Sequence, residues 1–280
     1  GMQHFLSMGI SNASHQDIII KGLFLFVPIL AVSYMAGGFW EMLFAVVRKH
    51  EVNEGFLVTG FLIPLIVPPT IPLWQVAVAT SFGVVVGKEV FGGTGMNVFN
   101  PAIVARAFLF FAYPGAISGN GVWTAFGDKI VDTYTKATPL SIAVANKGTG
   151  IVEGLSAKGY TLQNMFIGTI PGSIGETSTA AILIGALILL ITKIGSWRVM
   201  LSVFAGGYIM GLILNLATNN PAHIFALPAH YHLVMGGFAF GAVFMATDPV
   251  SASGTNVGKF FYGFFIGVLA VVVRAINPAY

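Results

Sequence analysis

Long apolar runs with very few charges constrain this chain more than any other feature. A mostly apolar stretch extends from Ile18 to Val47, and others follow at Gly55 to Val67, Leu73 to Gly87, Ala102 to Tyr113, Ser178 to Thr192, Val199 to Ala217, Leu233 to Ala246 and Phe260 to Val273. A bilayer core takes about 20 apolar residues in one helix, so the longer runs are membrane-spanning in grade. Charged residues make up only 8% of the 280-residue chain, against about 25% in soluble domains. Runs of this length, without ten-residue alternation, predict helices rather than an outer-membrane barrel. The fold class is therefore an all-α polytopic membrane protein.

The same composition excludes several kinds of chemistry. With no cysteine, the chain makes no disulfide and cannot ligate an iron–sulfur cluster through thiolates by itself. Its net charge of +3 is small and dispersed, which argues against a nucleic-acid partner. Residues Gly1 to Ile10 read as neither a basic n-region nor a cleavable signal. His4, His15, His223, His230 and His232 lie in polar or interfacial stretches. The pair His230-x-His232 has no third ligand nearby and reads as interfacial rather than metal-binding.

Taken in order, the first run has Pro28 and Gly37-Gly38 as expected bends and closes on Arg48-Lys49-His50. Positive residues at the end of a span mark the cytoplasmic side. Glu41 lies within this run. An acid at membrane depth is costly and so points to function, but pairing with Arg48 or Lys49 is an equally open reading. Pro68-Pro69-Thr70-Ile71-Pro72 then separates two segments too short to cross comfortably alone, which predicts a broken or re-entrant helix. Lys88-Glu89 reads as a self-neutralising pair.

The loop Phe91 to Pro101 carries Gly92, Gly93, Gly95, Asn97 and Asn100. Glycines allow backbone to approach a ligand closely, and asparagine amides donate and accept as a flavin edge requires. A plain loop closing on an Asn-Pro turn is the simpler reading. No strand precedes the loop, so a dinucleotide-binding reading fails its context. Arg106, in the following apolar helix, needs an anionic partner or an aqueous cavity.

Farther on, Lys193 to Arg198 is a basic turn between two apolar runs, forming a helical hairpin with a second cytoplasmic end. Gly185, Gly206, Gly207 and Gly211 suit close helix packing there. The segment ending at Thr247-Asp248-Pro249 repeats the pattern of short helix, proline break and short helix. Two interrupted segments in corresponding halves point to a site at their interface. Asp248 reads either as an Asx turn before proline or as a cation ligand.

Between the halves lies a polar connection, residues 119–163, containing Asp132-Thr133-Tyr134-Thr135-Lys136-Ala137-Thr138-Pro139. Thr at an N-cap and Pro at the first helical position are favoured. Thr138 would then face unpaired N–H groups at a helix start, with Lys136 nearby, a suitable seat for phosphate. An ordinary cap is the bland alternative. One crossing back from the basic turn, this connection falls on the outer face.

The pattern Asp132-x-x-Thr135-x-Ala137-Thr138 resembles the acceptor sequence at which FMN is joined to threonine through its phosphate, with Lys136 where glycine is usual. Arg48 to Phe56, Pro68 to Trp74, Gly87 to Gly95 and Asn100-Pro101-Ala102 also resemble the B-subunit family of sodium-translocating NADH:quinone oxidoreductases, related to the D subunit of the Rnf complex. The similarity covers nearly the whole chain, and the family is longer at both ends. It implies a urea-transporter-like fold of two repeated halves, about 18–118 and 164–280, within one transmembrane domain. It implies covalent FMN on Thr138, making this a phosphoprotein and flavoprotein, beside Lys136. It implies a non-covalent riboflavin, here expected near Asn97, Asn100, Gly93, Gly95 and Arg106. Ubiquinone would be bordered by Gly37, Gly38 and Glu41, and Na+ handled by Glu41 and Asp248.

The implied setting is the bacterial inner membrane, with Thr138 periplasmic. The implied partners are the A, C, D, E and F subunits of the same oxidoreductase, quinone and membrane lipid. The rival readings are the Rnf counterpart, fed by ferredoxin, and a urea-transporter-like solute channel with no redox role.

Overall fold

Helix α1 spans His15–Arg48, 34 residues or about 51 Å at the α-helical rise. Ser14 caps its start by accepting the Gln16 N–H. Lys49 ends it in the left-handed region, φ 58°, with its own N–H returned to the last carbonyls. The expected bends at Pro28 and Gly37-Gly38 do not divide this helix. Phe56 fills the space beside Gly37, where a Cβ would collide with its ring. The computed structural model describes residues 14–118, 138–145 and 150–277. Among these there is no β-strand, and three helices are long and apolar enough to cross a membrane. The chain divides into two units, Gly1–Tyr134 and Thr135–Tyr280.

In the first unit α2 (Gly55–Leu65) and α3 (Leu73–Gly87) flank the proline cluster. Eleven and 15 residues rise only about 16 and 22 Å, below the ~30 Å bilayer core. Phe26 meets Phe61, and the Tyr34 hydroxyl donates to Leu57 O at 2.9 Å, so α2 runs antiparallel to α1. Thr80 lies near Gly37 and Glu89 near Arg48, so α3 runs parallel to α1. The two short helices thus form the expected broken pair, and the turn between them buries Ile66, Val67 and Ile71. Helix α4 (Pro101–Ala112) returns along α3, with Gly87 on Pro101, Phe82 stacked on Phe108 at 4.6 Å, and Trp74 against Tyr113. The loop from Lys88 to Asn100 is therefore held at the Arg48 end of α1.

The second unit begins with three short helices, α5 (Pro139–Ala145), α6 (Ile151–Ala157) and α7 (Leu162–Ile167). Leu140, Ala143, Ile151, Leu155 and Met165 share a buried core with Ile224, Leu227, Tyr231 and Met235. Next, α8 (Thr179–Ile191) and α9 (Trp197–Leu216) form the expected hairpin, whose turn places Lys193 at φ 59°. Helix α10 (Ala229–Val234) leads back toward that turn and stops at Met235. Phe238–Phe240 resumes and widens into a π turn over Gly241–Met245. The single apolar segment expected from Leu233 to Ala246 is thus broken at Gly236, φ 59°.

Helix α11 (Asn256–Ile276), capped by Thr255 on the Gly258 N–H at 3.0 Å, runs parallel to α9. Glycines make that contact possible: a Cβ at Gly206 would strike Phe264 O, and one at Gly267 would strike Val203 O. Gly185, Gly207 and Gly211 likewise face Phe244, Phe238 and Ala229, the close packing expected of them.

Candidate functional site

At the Arg48 end of the first unit two acids and two bases gather. Glu41 and Lys88 are 4% and 2% exposed, and Lys88 Nζ donates to Glu41 Oε1 at 2.5 Å. Arg48 Nη1 meets Glu89 Oε2 at 2.9 Å, while Nη2 donates to the Glu89 carbonyl. These pairings correct two expectations. Lys88 and Glu89 are bonded not to each other but across to α1, Lys88 to Glu41 and Glu89 to Arg48. Glu41 takes neither Arg48 nor Lys49, since Arg48 is committed to Glu89 and Lys49 is exposed.

Glu89 lies beyond the end of α3. Burial pushes its carboxyl above the usual range and the Glu41 charge adds to this, while Lys88, Arg48 and His50 oppose it.

The glycine loop closes over this cluster. Gly92, Gly93 and Gly95 all have positive φ, a conformation costly for other residues. The Gly93 N–H bonds to Lys88 O at 3.2 Å, and the vacant Cβ position of Gly93 faces the Glu89 carboxylate and Arg48. That of Gly95 faces open space. Asn97 Nδ2 donates to Phe99 O, and Asn100 Oδ1 accepts the Ala102 and Ile103 N–H groups as the cap of α4. Both asparagines thus shape the loop and are buried within it. Arg106 lies half-buried on α4. Gly37 and Gly38 stand one turn before Glu41 on α1, Gly37 buried against Phe56.

In the second unit Thr138 precedes α5 and its Oγ accepts the Ser141 N–H at 3.2 Å. This is an N-cap, and Ser141 Oγ returns a bond to Thr138 O at 2.9 Å. The threonine is half-buried while Pro139, Leu140 and Ala143 behind it are buried. Its short helix packs on Ile224 to Met235, and Asn215 holds that segment at the Leu216 end of α9 by donating to Phe225 O and Leu227 O. Thr138 therefore sits at the opposite end of α9 from the basic turn. Lys136 and the residues from Asp132 to Ala137 lie outside the described residues.

Asp248 lies at the basic-turn end, half-buried between the π turn and α11. Its Oδ1 accepts the Val250 N–H at 3.1 Å and its Oδ2 accepts the Ser251 hydroxyl at 2.9 Å, so the Asx turn is present. Among the described residues, no three His, Cys, Asp or Glu side chains group as for a metal ion. His232 corrects another expectation: it is 1% exposed, not interfacial, and neither ring nitrogen has a partner.

Sequence reasoning passed over three further groups beside His232 and the Gly236-Gly237 break. Arg274 donates to His232 O at 3.0 Å and lies over the Phe238 ring. Glu176, buried, abuts Gly237 and accepts the Ser173 hydroxyl. Arg274, a lone cation in the last turn of a largely apolar helix, was the available signal.

A family model described as "NQR2, RnfD, RnfE family" matches residues 2–280. The chain is 56% identical over 272 residues to a protein of Ectopseudomonas mendocina (strain ymp) named as the B subunit of a Na(+)-translocating NADH-quinone reductase. That alignment covers 97% of this chain and 65% of the relative. Proteins of the same name from Azotobacter vinelandii and Neisseria meningitidis serogroup A are 55% and 52% identical, over 97% and 98% of this chain and 65% and 66% of theirs. The chain thus spans just under two thirds of the length of the relatives it matches.

Proposed function

Because the chain belongs to the NQR2, RnfD, RnfE family, we propose that it is the flavin-bearing membrane subunit of a respiratory Na+-translocating NADH:quinone reductase. The observation that carries this reading is the placement of Thr138. Its hydroxyl stands at the head of α5, half-buried, with a buried apolar platform behind it. Thr138 would hold a phosphate ester through that oxygen, beside the first-turn N–H of Ser141. Lys136 supplies a cation two residues before.

Once attached, FMN supplies one- and two-electron transfer. The chain's own part is to hold the ring in place at high effective concentration without a soluble binding domain.

The basic ends at Arg48–His50 and Lys193–Arg198 are cytoplasmic in this reading. Thr138, at the far end of α9 from the second of these, is then periplasmic in a bacterial inner membrane. The Lys88–Asn100 loop and the Asp248 turn each lie at a basic end, hence on the cytoplasmic side. Gly93 and Gly95, with Asn97, Asn100 and Arg106, border the second flavin, riboflavin, the open face at Gly95 providing the approach. Gly37, Gly38 and Glu41 border the quinone headgroup. Glu41 and Asp248 handle Na+, Asp248 at the break before α11 and Glu41 on α1 beside the end of α3.

With both flavins bound, these residues would hold the two rings that carry one-electron chemistry between NADH, through the other subunits of the complex, and ubiquinone. The two interrupted halves form a urea-transporter-like repeat.

The test is ultraviolet-excited fluorescence of the denatured protein on a gel, with the mass of the Thr138 peptide. The wild-type band glows and its peptide carries one FMN, whereas Thr138→Val is dark. A Thr138→Val band as bright as wild type overturns the attachment. A dark wild-type band would instead favour a solute channel.

A further inference from the structure

The acid at membrane depth already has a cation. Glu41 and Lys88 are each at least nine-tenths buried and bonded to each other, and they come from different elements, α1 about two turns before its end and the end of α3. Lys88 is the first residue after α3, and its Nζ reaches back along α1 from the level of the Arg48–Glu89 pair. Two acids and two bases make this cluster neutral as it stands. A Na+ at Glu41 would add a fifth charge beside a buried ammonium. At protein-interior dielectric that repulsion outweighs any gain while Lys88 stays in contact. A second acceptor is at hand: the Lys88 charge already acts on the Glu89 carboxylate, which lies against Arg48, and Arg48 also holds the Glu89 carbonyl.

We propose that Lys88 is a tethered counter-cation that occupies the place of Na+ at Glu41 and transfers to Glu89 when Na+ arrives. The exchange moves one ammonium between two carboxylates and makes or breaks no covalent bond, so charge balances. The free site stays neutral without an open water path to Glu41. The bound site carries +1 in place of zero, so quinone reduction beside it gains a cation as it gains negative charge. Lys88 is a positioning residue: it acts on Na+ only through Glu41 and sets its apparent affinity. Lysine suits the role because its ammonium is a point charge on a flexible stem, whereas the arginine fork is fixed. The inference rests on the reading that Glu41 handles Na+.

The test uses the intact complex and measures the Na+ dependence of NADH-driven quinone reduction at constant ionic strength. Four forms are compared with wild type: Glu41→Gln, Lys88→Gln, Lys88→Arg and Glu41→Gln/Lys88→Gln. Removing the competitor in Lys88→Gln lowers the apparent KM for Na+ by about tenfold or more, while Lys88→Arg keeps it at or above wild type. The double variant matches Glu41→Gln, because without the carboxylate Lys88 has nothing to compete for.

A KM for Lys88→Gln within about twofold of wild type, with Glu41→Gln shifted, overturns the proposal and leaves the Glu41 reading standing. An unshifted Glu41→Gln overturns that reading itself. Should Lys88→Gln fail to assemble, Lys88→Arg and the charge-neutral double variant decide: a KM for Lys88→Arg about tenfold below wild type, or a double variant differing from Glu41→Gln, overturns the exchange.

Discussion

Cutting Glu41 back to alanine while Lys88 remains would leave an ammonium only 2% exposed without its counter-charge. Breaking a buried pair on one side costs about 3–5 kcal/mol, whereas replacing both partners with apolar groups is often close to neutral. Glu41→Ala is therefore expected to lower the thermal stability of the purified protein in detergent, followed by loss of helical circular dichroism. Glu41→Ala/Lys88→Met should recover most of the loss. Equal losses in the single and double variants would mean that the pair is not coupled.

Half of this pair was legible from sequence, because an acid inside an apolar run stands out by its cost. Lys88 did not stand out, since Glu89 beside it offered an easy partner. The pairing across to α1 depends on α3 running parallel to it, which brings Lys88 and Glu89 level with Glu41 and Arg48. Thr138 was legible because its cap is a local matter of Thr, Pro and Ser141.

At the scale of elements, the break between α2 and α3 was readable because prolines force it. The break after α10 was not, since no proline lies between Ala229 and Ala246. There the chain turns at Gly236, φ 59°, and its polar surroundings come from Glu176 and Arg274, distant in sequence. Glycine gives the opposite lesson in α9 and α11, where it serves close contact rather than turning. A Cβ at Gly206 would meet the Phe264 carbonyl, and backbone cannot step aside as a side chain can. Gly206→Ala should therefore destabilise the α9–α11 pair by about 1–3 kcal/mol or more. Gly241→Ala, with nothing within 4 Å of its Cβ position, should be near neutral. Heat-induced unfolding of the two variants side by side checks this, and a Gly206→Ala protein as stable as Gly241→Ala would contradict the packing.

At the scale of the molecule, the direction of each unit through the bilayer follows from where its basic residues fall. In the second unit α8 descends to the Lys193–Arg198 turn and α9 climbs away from it to Asn215. The short helices behind Thr138 then pack at the far end. If positive residues mark the cytoplasm, a thiol at Ile194 faces inward and one at Asn219, just past α9, faces outward.

The chain has no cysteine of its own, so each substitution gives it a single reporter, and both positions are exposed. A membrane-impermeant maleimide is expected to label Asn219→Cys in right-side-out spheroplasts and Ile194→Cys only in inverted vesicles. The reverse pattern would put Thr138 on the cytoplasmic side. That would overturn the outer-face placement proposed for this threonine.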